Sequence, residues 1–357
     1  MANAARMPLI DALKGVASQI ILLHHLALYG PLSLAVAAAF PDLAEWLVDY
    51  GRMAVQVFLV IGGFLAARSL SPTGGALADN PLPLIGRRYL RLVPPFVAAI
   101  SLAVATSVLA DLWLDDPAIP ELATPGQWLA HALLLHGVLG SDSLSAGVWY
   151  VAIDFQLFAL LALLLWLGRT ATLAWLAAFG LATVSLFWFN RDSSLDNWAI
   201  YFFGAYGLGA AAWWASTRRG TLGWLLLAAA VAATALLVDF RPRIAIALAT
   251  AMLLGFVRLS GWREQWPGSR ITDFLGRISY SVFLIHFPVL LLINALFAAH
   301  PADDPAAVAW WMLFTWVSCL YAGLVFHRWI EVPAGKWRLP ASRRVRGGRG
   351  SNPALPD

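Results

Sequence analysis

Apolar runs recur along the whole chain, each ended by a charged, Gly-rich or Pro-rich break. Ten of them, at 9–29, 51–70, 93–112, 148–167, 171–189, 197–215, 221–239, 243–259, 275–299 and 307–330, have the length an α-helix needs to cross a bilayer, roughly 17–25 residues. The pattern predicts an all-α polytopic membrane protein of about ten transmembrane helices. An eleventh stretch, 126–140 ("GQWLAHALLLHGVLG"), is shorter and carries His131 and His136.

Charge decides how 126–140 is read, because cytoplasmic loops collect Lys and Arg. If it does not cross, only Arg52, Arg191, Arg241 and Arg243 of the 24 basic residues fall outside. If it crosses, every later loop changes sides and the inside count drops to nine of 24. The segment is therefore predicted to be re-entrant or interfacial on the outer face, with both termini cytoplasmic. The acidic stretches Asp42–Asp49, Asp111–Glu121 and Asp303–Asp304 fall outside in the same scheme. A cleaved signal peptide is rejected, since Asp11, Lys14, His24 and His25 interrupt the first apolar core. Residues 1–335 are expected to form one membrane domain, and the basic, Gly/Pro-rich 336–357 a disordered cytoplasmic tail near the lipid surface.

Composition agrees. The chain is 60% hydrophobic and 12% charged, with a mean hydropathy of +0.72. The 18 tryptophans suit the headgroup level. The single cysteine, Cys319, excludes an intramolecular disulfide and a Cys-based metal cluster. No basic–aromatic module for nucleic acid is present.

Candidate chemistry starts at "IILLHHLALYG", Ile20–Gly30. An ionisable side chain within a span points to function. With Asp11 as the origin and about 100° per residue, Lys14, Gly15, Ser18, His25 and Tyr29 fall within roughly 60° of it. His24 lies roughly 220° round and is assigned to helix packing. The first helix thus carries one polar face, Asp11–Lys14–Ser18–His25–Tyr29, and His25 belongs to it. In "GRRYLRLVPPF", Arg87, Arg88 and Arg91 precede a Pro-Pro expected to open a helix. Arg88 and Arg91 share a face, as a phosphate clamp or as ordinary positive-inside charge. In "GVWYVAIDFQLF", Asp154 lies about 9 Å inside its helix, at the depth of His25, where it can orient an imidazole. In "LGRISYSVFLIHFPV", Ser279 and His286, seven apart, share a face, Tyr280 follows Ser279, and Pro288 frees the Leu284 carbonyl for a His or Ser donor.

Five motifs in order carry a resemblance to the integral membrane acyltransferase family 3, over roughly residues 7–330. "IDALKGVASQIILLHH" resembles the family's Asp, Arg, Gly and His signature. "VQVFLVIGGFL" resembles its Ser-Gly-Phe second-helix motif, and "RRYLRLVPPF" its Arg-x-x-Arg. "GVWYVAIDFQLF" and "LGRISYSVFLIHFPV" resemble its Trp…Glu…Gln-Phe-Tyr and Ser-Tyr…His-Phe-Pro motifs. Lys14, Gly62 and Asp154 depart from the usual Arg, Ser and Glu. No appended hydrolase-like domain is recognised, so the chain reads as a stand-alone member.

The resemblance implies transfer of an acyl group, most simply acetyl, from cytoplasmic acyl-CoA to a carbohydrate hydroxyl at the extracytoplasmic face of a bacterial inner membrane. Its membrane histidine maps onto His25 and its donor-linked arginines onto Arg88 and Arg91, with Arg87 and Lys14 nearby. His25 is expected to act as general base or as acyl carrier, with Asp154 orienting it, and no metal is implied. Asp11, Ser18, Ser279, Tyr280 and His286 are expected as substrate-contacting or structural polar groups, and His131 and His136 as candidates to line the acceptor site. The competing reading is a proton-coupled transporter, against which no paired inverted repeats or matching broken helices are found.

Overall fold

The structure is a computed structural model and describes residues 7–215, 217, 221–261 and 268–336. All regular structure among the described residues is helical: α1 (Pro8–Leu26), α2 (Pro31–Ala39), α3 (Pro41–Tyr50), α4 (Val55–Leu70), α5 (Leu82–Asp111), α6 (Pro125–Ala132), α7 (Trp149–Leu167), α8 (Ala171–Phe187), α9 (Ala199–Trp214), α10 (Thr221–Val238), α11 (Pro242–Leu259), α12 (Arg270–Ala299) and α13 (Pro305–Phe326). Each of the ten apolar runs falls on one of these helices. Among the described residues, eight helical stretches are long and apolar enough to cross a membrane. The other two expected spans are shorter apolar helices, α9 with 16 residues and Leu222–Val238.

α6 has eight residues, a rise of about 12 Å, too short to cross. A reciprocal cap starts it: Thr124 accepts from the Gln127 amide while Gln127 accepts from the Thr124 amide. α5 differs from expectation. It begins at Leu82, so Pro94 and Pro95 lie inside it rather than at its start. Tyr280 on α12 donates to the Leu92 carbonyl at 3.1 Å, two residues before Pro94. Of the expected tail, only Lys336 is described; 337–357 lie outside the described residues.

Of the eight long apolar stretches, α12 is the most enclosed, 72% buried over its most apolar part against 22% for those containing α8 and α13. Two glycine contacts hold the centre. A Cβ on Gly276 of α12 would lie 2.3 Å from the Asp11 carbonyl oxygen of α1, and one on Gly15 3.0 Å from the Leu275 Cβ. On the other side, a Cβ on Gly63 of α4 would lie 1.9 Å from the Tyr206 carbonyl oxygen, and one on Gly209 of α9 2.0 Å from that of Val60. With no hydrophobic drive between helices in lipid, small residues that let backbones approach supply the packing. Asn294 then pins the turn after α1 to α12: its amide oxygen accepts from the Leu32 N–H at 2.9 Å and its amide nitrogen donates to the Tyr29 and Leu290 carbonyls.

Gly276→Ala is expected to force α1 from α12 and destabilise the protein by about 1–3 kcal/mol, the usual range for overpacking. Gly223→Ala on α10, where the added Cβ meets nothing within 4 Å, is the control. Thermal unfolding in detergent compares them, and equal midpoints would mean that the α1–α12 contact is not close-packed.

Candidate functional site

α1 and α12 bring two imidazoles together. His25 Nδ1 and His286 Nε2 are 2.6 Å apart, with the rings nearly parallel and their centroids 4.8 Å apart. Both residues are buried. A helical side chain leans towards its own N-terminus. The His286 ring therefore meets the carbonyls of Phe283 and Val282, at 2.8 and 3.2 Å from Nδ1. It does not turn to the Leu284 carbonyl expected from Pro288. A carbonyl only accepts, so His286 carries its proton on Nδ1 and offers Nε2 as acceptor. His25 must then donate through Nδ1, which leaves its Nε2 with a lone pair. The chain Phe283 carbonyl, His286, His25 thus fixes one tautomer of His25.

The Cε1 edge of His25 is closely walled. Gly147, at φ +77° before α7, leaves space where a Cβ would lie 3.3 Å from His25 Cε1 and from the Phe283 ring. The left-handed backbone there favours glycine. Tyr29 packs on His25 with centroids 5.5 Å apart. His24 faces the other way and its Nδ1 donates to the Leu47 carbonyl at 2.8 Å.

A cavity of about 540 Å³ opens beneath this pair. Lys14, Arg88, Arg91, Arg277 and Lys336 supply its positive charge, Asp154 and Glu331 its negative. Arg91 and Arg277 are exposed and make no ion pair among the described residues. At its deep end Phe58, Tyr150 and Phe283 form an aromatic cluster: Tyr150 lies 5.6 Å from Phe283, edge to face, and 6.0 Å from Phe58. Phe283 both lines the cavity and provides the carbonyl that holds His286.

The expected site residues divide as follows. Lys14, Arg88, Arg91, Asp154, Ser279 and Tyr280 line the cavity. His25 and His286 lie beyond its aromatic end. Asp11 sits 3.9 Å from Lys14. Ser18 is tied to its own helix, donating to the Gly15 carbonyl at 2.8 Å, and Ser279 donates likewise to the Gly276 carbonyl. Arg87 is exposed and does not line the cavity. The expected pairing of Asp154 with His25 is not made. Arg88, partly exposed, donates to the buried Asp154 in an ion pair and lies over the Phe158 ring at 5.4 Å. The reason is the early start of α5, which carries Arg88 into the bundle at the level of Asp154. Arg88 Nε and the Tyr206 hydroxyl are buried without a hydrogen-bond partner among the described residues.

His131 and His136 do not face the cavity. They stack on each other, centroids 4.1 Å apart and 5° from parallel, with Phe96 beside His136. His131 spends both nitrogens locally: Nδ1 donates to the Gln127 carbonyl and Nε2 accepts the Leu144 N–H. Burial, then the neighbouring His131, pushes the His136 imidazole down to about 4. Sequence reasoning missed Arg277, Glu331, Tyr150 and Phe283. Arg277 was visible only as one more inside charge. Glu331 sits on the π-helical turn His327–Glu331, where it accepts from Ser281 and His327 at 2.5 and 2.9 Å.

With this geometry in place, the comparisons fit. The acyltransferase domain of acyltransferase family 3 matches residues 8–328, and the chain belongs to that family: it is an integral membrane acyltransferase. Among characterised proteins it is similar to "Regulator of hypoxia-inducible factor 1" of Caenorhabditis elegans, at 22% identity over 93% of this chain and 80% of that protein. No solved structure matches.

Below its ordinary 6.5 an unfolded His136 takes up a proton that the buried ring refuses until about 4. The unfolded chain then binds more protons than the folded one, and stability falls as pH drops through that window. His136→Phe is expected to flatten the acid limb of the unfolding midpoint against pH. An unchanged limb would show that His136 charges as freely folded as unfolded.

Proposed function

We propose that the protein transfers an acyl group, most simply acetyl, from acyl-CoA to a hydroxyl of a carbohydrate or glycoconjugate on the opposite face of the membrane. The observation that carries this reading is the five-cation cavity ending at the aromatic cluster beneath His25 and His286. A ligand with several phosphates on a long uncharged arm suits such a shape. Arg91, Arg277 and Lys336 at its open end offer donors for phosphates. Arg88 is committed to Asp154, which makes it a positioning group more than a phosphate clamp. The pantetheine arm would then run past Ser279 and Tyr280 towards Phe283, bringing the thioester near His25.

In this reading His25 is the general base. Its Nε2 lone pair takes the proton of the acceptor hydroxyl while the alkoxide oxygen attacks the thioester carbonyl. The C–S bond breaks, the thiolate of CoA leaves, and the proton passes from Nε2 to the sulfur. His286 holds the tautomer throughout. The Lys14, Arg91 and Arg277 end faces the cytoplasm, as the charge distribution along the chain supports, and the membrane is the bacterial inner membrane.

The test is CoA release by purified protein in liposomes fed acetyl-CoA and pooled envelope glycans. His25→Ala is expected to lower turnover by at least about 100-fold, the scale of general-base catalysis. His286→Phe is expected to lose about 100-fold in kcat through a misplaced base, with KM for acetyl-CoA nearly unchanged. Arg91→Ala/Arg277→Ala is expected to raise that KM with a smaller effect on kcat. Unchanged turnover in His25→Ala would overturn the mechanism. Substrate-linked proton flux without CoA release would move the protein to the carrier class.

A further inference from the structure

The four basic residues that break the positive-inside count, Arg52, Arg191, Arg241 and Arg243, are far apart in sequence and gather at one place. Arg52, Arg241 and Arg243 line a second cavity of about 530 Å³, within the size range of small-molecule sites. Arg191 stands beside it, 3.2 Å from Asp239. The cavity is built from the N-terminal ends of α4, α7, α9 and α11. The basic cavity described above takes its charge from the beginnings of α1, α5 and α12 and the segment after α13. Consecutive residues separate the two: Tyr150 lines the first, Trp149 the second.

The charge here is organised. Asp239 is shared by Arg191 and Arg241. Arg241 is buried and donates to the Asn190 side chain and the Leu186 carbonyl at 2.9 and 2.8 Å. Arg243 is held by neutral partners, the Tyr201 hydroxyl at 2.5 Å and the Asn190 carbonyl at 2.7 Å. Arg52 is exposed and makes no ion pair among the described residues. Two guanidinium groups thus face the cavity without a bound carboxylate, against one lining acid, Asp196. Gln56, only 6% exposed, also lines it and makes no side-chain hydrogen bond among the described residues. Trp149 and Phe202, stacked with centroids 5.5 Å apart, give a flat apolar wall. A planar apolar face beside fixed guanidinium forks suits a sugar that bears an oxyanion.

Two segments that line the cavity run on to the histidines of α1. Gly51, next to Arg52, packs against the His24 Cβ, and Gly147, two residues before Trp149, against His25. We propose that this cavity binds an acidic sugar, one carrying a carboxylate or a phosphate, through Arg52, Arg243 and Gln56, and presents its hydroxyl to His25. Its role as acceptor site rests on the acyl-transfer reading; the binding itself does not.

Binding is therefore measured without an acyl donor. The protein is placed in phosphatidylcholine nanodiscs and titrated by saturation-transfer NMR with glucuronate, N-acetylglucosamine 1-phosphate and N-acetylglucosamine. At least one acidic sugar is expected to bind more tightly than the neutral one and to weaken with added salt. Arg52→Gln, which breaks no internal contact, is expected to weaken the acidic sugar by about tenfold, the scale of a charge-assisted hydrogen bond, and to leave the neutral sugar unchanged. Preference for glucuronate assigns an acidic glycan, and preference for the phosphate a phosphate-linked sugar. Equal binding of all three sugars, no binding, or acidic-sugar binding indifferent to Arg52→Gln would overturn the proposal. Failure of CoA release in liposomes would instead count against acyl transfer and leave this result standing.

Discussion

The hydrogen bond between His25 and His286 is the interaction to which the rest of the structure is subordinate. It exists only because α1 and α12 approach closely at Gly15 and Gly276 and stay in register at the other end through Asn294. Two neutral imidazoles in hydrocarbon would each leave a donor and an acceptor unsatisfied. Joined, and anchored on the Phe283 carbonyl, they satisfy all but one nitrogen. That remaining lone pair, on His25, is the one on which the proposed general-base role depends. Cys319 adds a weaker tie, its thiol donating to the His286 carbonyl at 3.8 Å.

Around this pair the bundle is organised by depth. The ion pair of Arg88 and Asp154 takes up charge that the apolar interior could not hold singly. Next to it the rings of Tyr150 and Phe283 stand edge to face at one end of the basic cavity, and Trp149, the residue before Tyr150, lines the second cavity. An acyltransferase has to bring its acyl donor to an acceptor rather than to water, and an apolar centre between two polar cavities suits that task.

Much of this was legible in the sequence, for identifiable reasons. Helix length and apolar content are properties of local runs, so the ten segments were readable. The polar face of the first helix needs only the 100° turn, so His25 was separated from His24. The short 126–140 segment was decided by charge counts, and α6 matches in length. What failed was pairwise. Arg88 was placed outside the helix because Pro-Pro reads as a helix start. With α5 beginning at Leu82 Arg88 moved inward, and Asp154 found it instead of His25. His286 had been aligned with a freed carbonyl on its own helix, whereas its partner came from 261 residues away. The four arginines of the second cavity were visible as exceptions to the charge count, but only the fold puts them together.

Three positions depart from the family's pattern, Lys14, Gly62 and Asp154, and all three line the basic cavity. Two of them are one packing solution. A Cβ on Gly62 would lie 3.2 Å from the Asp154 Oδ1 and 3.1 Å from the Tyr206 ring. A serine there would press its hydroxyl into the space that carboxylate and ring now share, and a glutamate at 154 would carry the carboxylate one methylene further into the same space. Glycine and aspartate together keep an acid beside Arg88 at smaller size. Lys14 keeps the cationic character of the position with a compact charge in place of a fork of donors. The cavity's electrostatic sign is thus retained while its shape is changed.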